Sequence, residues 1–188
     1  VTEKYEVHFT GRFSFGSAVI PLTNLDEIRD IRVLQNGQSL QANCSERAGT
    51  FCATRQGSDL SIVYYFLQPV SDQTENFQII YTVLGGLRVY EGGDQLWWDA
   101  IPSEHFGFSI GSSRVTVQLP NGYAPREGID PVVTYGAPGN VQVNGTTVTA
   151  DATRQIGGNE YFSIRVQYPH DPNARVPAWQ ARFDEQRA

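Results

Sequence analysis

The segment from residue 77 to residue 120 contains two apolar–polar alternating stretches with a pair of adjacent Trp residues between them. The stretches are residues 77–84 and 114–120, and the pair is Trp97 and Trp98. Alternation with a period of two is typical of β-strands, and the Trp side chains offer the largest apolar surfaces of the segment. The segment therefore predicts β-sheet, and we expect it to form one half of a β-sandwich.

The rest of the chain repeats this pattern in short stretches separated by turn signals, with almost no helical periodicity. The dipeptides Asn36-Gly37 and Asn144-Gly145 are typical of the central residues of two-residue hairpins. Residues 62–67 are apolar at every position, which is typical of a strand covered on both faces. The sequence predicts an all-β fold, an antiparallel β-sandwich of immunoglobulin-like character, with an open or partly closed barrel as the alternative.

The length of the chain bounds its domain organisation. A chain of 188 residues can bury the core of one large all-β domain, although the length also allows two small ones. We expect one sandwich domain over residues 1–170. Pro177 precedes Trp179 and Phe183, whose spacing of four predicts a short helix. Residues 171–188 should therefore form a short helix that packs back on the sandwich, or an extended stalk.

Composition excludes some classes of partner. The net charge is −6 and charged residues make up 18% of the chain, whereas nucleic-acid binding requires clustered Lys and Arg. We therefore expect no nucleic-acid partner. No apolar run is long enough to span a bilayer. The chain contains no Met, even at position 1, so we expect a processed product from which a signal peptide has been removed.

Cys44 and Cys52 lie on either side of a polar turn that contains Gly49. An even number of Cys residues around a turn favours pairing, and the alternative is two free thiols. A disulfide that closes so short a loop would contribute about 2–3 kcal/mol to stability through loop entropy. We expect this disulfide, and with it maturation outside the reducing cytosol.

Candidate catalytic and metal-binding groups are few. The chain has three His residues, which are His8, His105 and His170. None has a second His or Cys at metal-ligand spacing, and a G-x-S-x-G nucleophile motif does not occur. Asp94, Asp99 and Glu104 lie near the two Trp residues, which is typical of a glycosidase, of a calcium-binding loop or simply of a solvated rim. We expect no enzymatic activity, no cofactor and no metal.

Trp97 and Trp98 are adjacent in a predicted strand, so their side chains should point to opposite faces. One can enter the core, and the other is either covered by a loop or exposed. An exposed Trp beside Asp99 and His105 would provide a sugar-stacking platform or an anchor for a protein partner. These four residues form the candidate binding site.

Several short motifs follow one another in a recognisable order. Residues 29–33 (RDIRV) precede the first Asn-Gly hairpin, and residues 80–87 (IYTVLGGL), 96–99 (LWWD) and 115–120 (VTVQLP) follow it. In this order they resemble the predicted bacterial membrane proteins grouped as domain of unknown function 2207. In that family an extracytoplasmic β-rich domain lies between a cleaved signal peptide and transmembrane helices. The resemblance implies an extracytoplasmic domain of a membrane-anchored protein, with residues 174–188 leading toward the membrane.

Three functions are compatible with these residues. The first is a non-enzymatic module that binds a protein partner or assembles with its own membrane segments, which lie outside this sequence. The second is a carbohydrate-binding module that uses Trp97 and Trp98 against cell-envelope polysaccharide. The third is a hydrolase that uses the acidic residues listed above with the Trp pair. The lack of a catalytic motif and the resemblance both favour the first.

Overall fold

The computed structural model describes residues 1–103 and 107–187. Most of these residues form β-strands, and a short helix lies near the C-terminus. The predicted all-β, sandwich-like fold and the short C-terminal helix are therefore confirmed. The chain divides into two compact units: unit 1 contains Val1–Gly85 and residues 185–187, and unit 2 contains Gly86–Asp184. The single domain over residues 1–170 stays a prediction, because compactness alone does not show which parts fold independently.

Unit 1 contains two four-stranded sheets. Its strands are β1 (Thr2–His8), β2 (Arg12–Pro21), β3 (Glu27–Gln35), β4 (Gln38–Ser39), β5 (Gln41–Ala42), β6 (Thr50–Gln56), β7 (Asp59–Ser71) and β8 (Thr74–Leu84). One sheet has the order β1-β8-β3-β4 and the other has the order β2-β7-β6-β5. The strand pairs are antiparallel except for β5 with β6.

The two longest strands of unit 1, β7 and β8, lie inside their sheets and face each other. Phe66 and Tyr64 of β7 contact Phe77 of β8, with ring centroids 5.1 and 5.2 Å apart. The intervening residues of β7, such as Val63 and Tyr65, lie on the outer face and are only half-buried. The prediction that this strand is covered on both faces is therefore wrong, because only its even-numbered residues face the second sheet.

Unit 2 also consists of two sheets. Its strands are β9 (Leu87–Arg88), β10 (Asp94–Ile101), β11 (Arg114–Gln118), β12 (Val132–Gly136), β13 (Gly139–Asn144), β14 (Thr147–Ala152) and β15 (Phe162–Tyr168), and helix α1 is Gln180–Glu185. The sheets have the orders β12-β15-β10-β9 and β11-β14-β13. Ile164 and Val166 of β15 share one fully buried cluster with Val148 and Ala150 of β14, so the two sheets pack face to face.

The sequence predicts that segment 77–120 forms one half of a sandwich. The structure shows that this prediction is wrong. Its first stretch is β8 of unit 1, the Trp pair lies in β10, and the last stretch is β11. These three strands belong to three different sheets. Alternation specifies that a segment is a strand with one buried face, but pairing depends on residues far away in the sequence.

The two Asn-Gly dipeptides occupy different positions in their hairpins. Asn36 and Gly37 are the central residues of the hairpin between β3 and β4, with φ values of 49° and 82°. The second hairpin turns one residue later than predicted, because Asn144 still pairs with Thr147 and Gly145 takes the positive φ of 57°. Glycine adopts this conformation without the steric cost that a Cβ atom adds.

Candidate functional site

Trp97 and Trp98 both lie in β10, inside the sheet β12-β15-β10-β9. Trp98 packs against the core cluster of unit 2, as Leu96 does. Trp97 lies on the opposite, outer face of this sheet, because successive side chains of a strand alternate. The two indoles therefore lie on opposite faces, as predicted, and both are half-buried.

Both flat faces of Trp97 are in contact with other side chains. The ring of Tyr135 stacks on Trp97 with a centroid distance of 4.7 Å and an interplanar angle of 10°. The guanidinium carbon of Arg88 lies 5.1 Å from the centroid of the same indole. Tyr135 belongs to β12 and Arg88 to β9, and these strands lie on opposite sides of β10 in the sheet. Trp97 is thus the middle layer of a stack, with little flat surface left for a ligand.

The stack continues to the C-terminal helix. The guanidinium of Arg88 also lies over the ring of Phe183, 4.6 Å from its centroid. Phe183 in turn meets Trp179 edge to face. A buried guanidinium between two aromatic rings gains cation–π stabilisation that an exposed one would lose to water. We call this series the Trp97 stack, formed by Tyr135, Trp97, Arg88 and Phe183.

Helix α1 packs back on unit 2, which was one of the two alternatives for the C-terminal segment. The side-chain amide of Gln180 donates to the carbonyl of Val89 at 2.7 Å and accepts from its N–H at 2.8 Å. The hydroxyl of Tyr90 donates to Asp184 at 2.6 Å. Gln180 thereby satisfies both backbone groups of Val89, the residue that follows edge strand β9. That this segment leads toward a membrane stays a prediction.

The two candidate acids that the structure describes, Asp94 and Asp99, do not converge. Asp99 is exposed on the outer face of β10, where it accepts a hydrogen bond from Ser163. Asp94 is fully buried and accepts from the backbone N–H groups of Tyr90 and Asp171 at 3.3 and 3.0 Å. Five positions along a strand place the two carboxylates on opposite faces. A glycosidase needs its two carboxyl groups on either side of one bond, and this pair cannot supply that arrangement.

Asp94 instead joins two loops of unit 2. Besides its two backbone donors, its carboxylate lies 2.9 Å from Nδ1 of His170. Burial, together with the negative charges of Asp94 and Asp171, raises the pKa of the nearby Tyr168 to about 12. The hydroxyl of Tyr168 therefore stays protonated at neutral pH. These contacts explain why an acid is tolerated in the interior of unit 2.

Two sequence candidates, Glu104 and His105, lie outside the described residues. Within residues 1–103 and 107–187, no three His, Cys, Asp or Glu side chains are grouped so as to hold a metal ion. Cys44 and Cys52 form the predicted disulfide. It joins β6 to the loop that follows β5, the neighbouring strand of the same sheet.

A surface that sequence reasoning missed lies on the outer face of the β2–β7 pair. We call it the Phe15 face, formed by three cross-strand pairs: Phe15 with Tyr65, Ser17 with Val63, and Val19 with Ser61. Phe15 is 55% exposed, and its ring lies 5.9 Å from that of Tyr65. The signal was present in the unbroken apolar run of residues 62–67, of which Val63 and Tyr65 form part of this face.

Comparisons with known proteins identify a family for this chain. Searches of curated proteins and of solved structures found no significant match. Across the residues that the structure describes, no helix has the length and apolar character needed to cross a bilayer. Residues 1–168 match the family described as predicted membrane protein (DUF2207) N-terminal domain, and this match includes strands of both units. The chain therefore belongs to the DUF2207 family of predicted membrane proteins, as the order of its motifs implied.

Proposed function

We propose that this chain is a non-enzymatic interaction domain of a membrane protein and that it binds a protein partner through the Phe15 face. The observation that carries the proposal is the exposure of an aromatic and aliphatic surface on the β2–β7 strand pair. Phe15, Val19, Val63 and Tyr65 all contribute to it while remaining partly open to water. Aromatic side chains on rigid elements are the usual anchors of protein interfaces.

The composition of the Phe15 face also supports a protein partner. Its six residues are aromatic, aliphatic or small hydroxyl-bearing, and none is charged. The cores of protein interfaces are depleted of charged residues and enriched in Tyr and Phe. This contrasts with the chain as a whole, which carries a net charge of −6. An uncharged face on an acidic protein can be desolvated by a partner at low electrostatic cost.

The Cys44–Cys52 disulfide supports an extracytoplasmic location. Disulfides persist in oxidising compartments and are rare in the cytosol. Together with membership of a predicted membrane protein family, this supports a domain that is held outside the cytoplasm by membrane segments.

The geometry around Trp97 gives less support to carbohydrate binding. A sugar ring binds an aromatic side chain by lying flat on it, and Tyr135 and Arg88 already occupy the two faces of this indole. A sugar would have to displace one of them. We therefore place the binding surface at the Phe15 face.

Photo-crosslinking in the full-length membrane protein tests this proposal. A photoreactive amino acid replaces Phe15 in one variant and Phe108, an aromatic residue that is 71% exposed, in a matched control. We expect a discrete protein adduct at position 15 and little at position 108. The adduct should then lose about tenfold or more of its yield when Tyr65→Ser is added, as expected for an interface aromatic. Equal labelling at both positions would contradict the proposal.

A further inference from the structure

Strand β13 carries a palindromic sequence. Residues 140–144 read Asn-Val-Gln-Val-Asn, the same in both directions about Gln142. The strand is the last one in the sheet order β11-β14-β13. All five of these residues are exposed. An edge strand of this kind offers a row of backbone hydrogen-bonding groups to another strand.

The backbone groups that face the open edge of β13 belong to Val141 and Val143. Thr153 donates its N–H to the carbonyl of Pro138 at 2.9 Å, at the start of the β13–β14 ladder. Hydrogen-bonded pairs alternate along an antiparallel ladder, so the even-numbered residues of β13 bond to β14. The N–H and C=O groups of Val141 and Val143 therefore point away from β14, toward the open edge.

The valine side chains lie on the inner face but are not covered. Val141 is paired with Ala150 and Val143 with Val148, and both of these pairing residues are fully buried in the core of unit 2. Directly opposed residues share a face of the sheet. Val141 and Val143 nevertheless remain 36% and 51% exposed. The edge of this sheet therefore extends the apolar inner face beyond the part that the facing sheet covers.

This edge lacks the usual features that prevent strand pairing. Natural edge strands are blocked by charged side chains, proline or bulges. Edge strand β1 carries Glu3, Lys4 and Glu6, and edge strand β2 ends in Pro21 and has an irregular register. β13 has neither a charged residue nor a proline, and its register with β14 is continuous.

We propose that two copies of this chain associate by antiparallel pairing of their β13 strands about a twofold axis at Gln142. In this register Val141 meets Val143 of the second copy, Asn140 meets Asn144, and Gln142 meets itself. The palindrome places like residues opposite each other, and the four valines form one apolar cluster. The uncharged edge avoids the repulsion that two chains of net charge −6 would experience elsewhere. This interface is separate from the Phe15 face and does not depend on it.

Sedimentation velocity over a rising series of protein concentrations tests the association. We expect a reversible change from the mass of one chain to the mass of two. Gln142→Lys places two ammonium groups face to face at the axis and should weaken the dimer about tenfold or more. Thr116→Lys, on exposed edge strand β11 of the same sheet, adds the same charge and should leave the dimer unchanged. A wild-type chain that stays monomeric up to its solubility limit would overturn the proposal.

Cysteine crosslinking tests the register without depending on those variants. Both native Cys residues are already joined, so an introduced Cys is the reactive thiol. Opposed residues in a non-hydrogen-bonded pair have Cα atoms about 4.5 Å apart, within reach of a disulfide. Gln142→Cys should therefore form a covalent dimer under mild oxidation, whereas Thr116→Cys should not.

The palindrome makes a second prediction for crosslinking. Asn140→Cys alone should remain uncrosslinked, and a mixture of Asn140→Cys with Asn144→Cys should give a mixed covalent dimer. Efficient self-crosslinking of Asn140→Cys, or no covalent dimer of Gln142→Cys, would overturn the twofold register. If β13 instead accepts a strand from a different protein, the purified chain will be monomeric in sedimentation, and this result also rejects the proposal.

Discussion

The two units use the same architecture but place their aromatic side chains differently. In unit 1, Phe9, Tyr64, Phe66 and Phe77 meet between the sheets, with ring centroids 5.1 to 6.3 Å apart. In unit 2 the fully buried core is mainly aliphatic, and the Trp97 stack lies on the outer face of a sheet. A stack on the outer face of a sheet covers a surface that could otherwise bind a ligand. In unit 1, Phe15 lies on the outer face of the β2–β7 pair and is 55% exposed.

The units also differ in how they join their layers. In unit 1, Gln35 accepts a hydrogen bond from Leu67 N–H of the facing sheet at 2.9 Å and donates to Glu75 at 2.7 Å. The Cys44–Cys52 disulfide adds a covalent link within the region of a single sheet, β2-β7-β6-β5. In unit 2 the amide of Gln180 bonds to Val89, and the carboxylate of Asp94 joins two loops. The buried polar link of unit 1 therefore joins its two sheets, whereas those of unit 2 hold loops and the C-terminal helix.

The largest effect is expected at a backbone contact of unit 2. A Cβ atom on Gly136, where φ is 82°, would lie 2.1 Å from the carbonyl oxygen of Tyr161. Gly136→Ala should therefore lower the free energy of unfolding by about 3–5 kcal/mol, since conformational strain and overpacking add. Chemical denaturation measures this loss. Gly145→Ala is the matched control, because its φ is also positive but nothing lies within 4 Å. Equal losses would show that strain, not the close contact, is responsible.

The next effect concerns the buried polar link of unit 1. Glu75 accepts hydrogen bonds from the side-chain amides of Gln35, Asn36 and Gln73 at 2.6 to 2.7 Å. Glu75→Leu leaves these donors without an acceptor and should cost about 2–4 kcal/mol. Amide hydrogen exchange should show the greatest loss of protection in β7 and β8. Glu75→Gln keeps one acceptor oxygen and should cost less. A greater loss of protection in unit 2 would contradict the expectation that Glu75 stabilises the interior of unit 1.

Removal of the disulfide tests the covalent link in unit 1. Cys44→Ser with Cys52→Ser should lower the unfolding free energy by about 2–3 kcal/mol, because the unfolded chain gains loop entropy. The thermal midpoint of the double variant, compared with that of the oxidised wild-type chain, measures this effect, and the reduced wild-type chain is the control for the double variant. The two should be nearly equal, since both lack the crosslink. A variant as stable as the oxidised wild type would contradict the expectation.

The smallest effect on stability is expected from two surface carboxylates, one in each unit. Hydrogen bonds from Arg154 and from Gly157 N–H lower the pKa of Glu160 from 4.5 to about 2. In unit 1 the N–H of Gly11 lowers the pKa of Asp72. Because the pKa of Glu160 is depressed in the folded state, its stabilisation is present above pH 4.5 and is lost as pH falls toward 2.

Carboxyl NMR titration measures both groups. Arg154→Gln should move the titration of Glu160 back toward higher pH and leave that of Asp72 unchanged. Added salt should raise the pKa of Glu160 more than that of Asp72, because salt screens an exposed ion pair more than a hydrogen bond from the backbone. An equal response of the two residues to salt would contradict this difference.

Several features could be predicted from local sequence. The Asn36-Gly37 hairpin follows from two residues that tolerate positive φ, and the disulfide follows from two Cys residues around a short turn. The opposite orientation of Trp97 and Trp98 follows from strand geometry alone. Each of these depends on neighbours that the chain itself holds close together.

Other features depend on residues that are distant in the sequence. The division of segment 77–120 among three sheets is decided by pairing partners such as β3 for β8 and β15 for β10. Whether Trp97 is open to a ligand depends on Tyr135, 38 positions away and on a strand that is not its direct neighbour. Alternation marks which side chains share a face, but it carries no information on what covers that face.

Strand content, the disulfide and the opposite faces of the Trp pair were thus encoded locally, because backbone geometry and short loops set them. The two-unit arrangement, the Trp97 stack and the exposure of the Phe15 face were decided by tertiary packing. Burial is a property of the surroundings of a side chain, and those surroundings are assembled from several sheets at once. For this protein, the surface that we propose as a binding site therefore became visible only after the strands were placed.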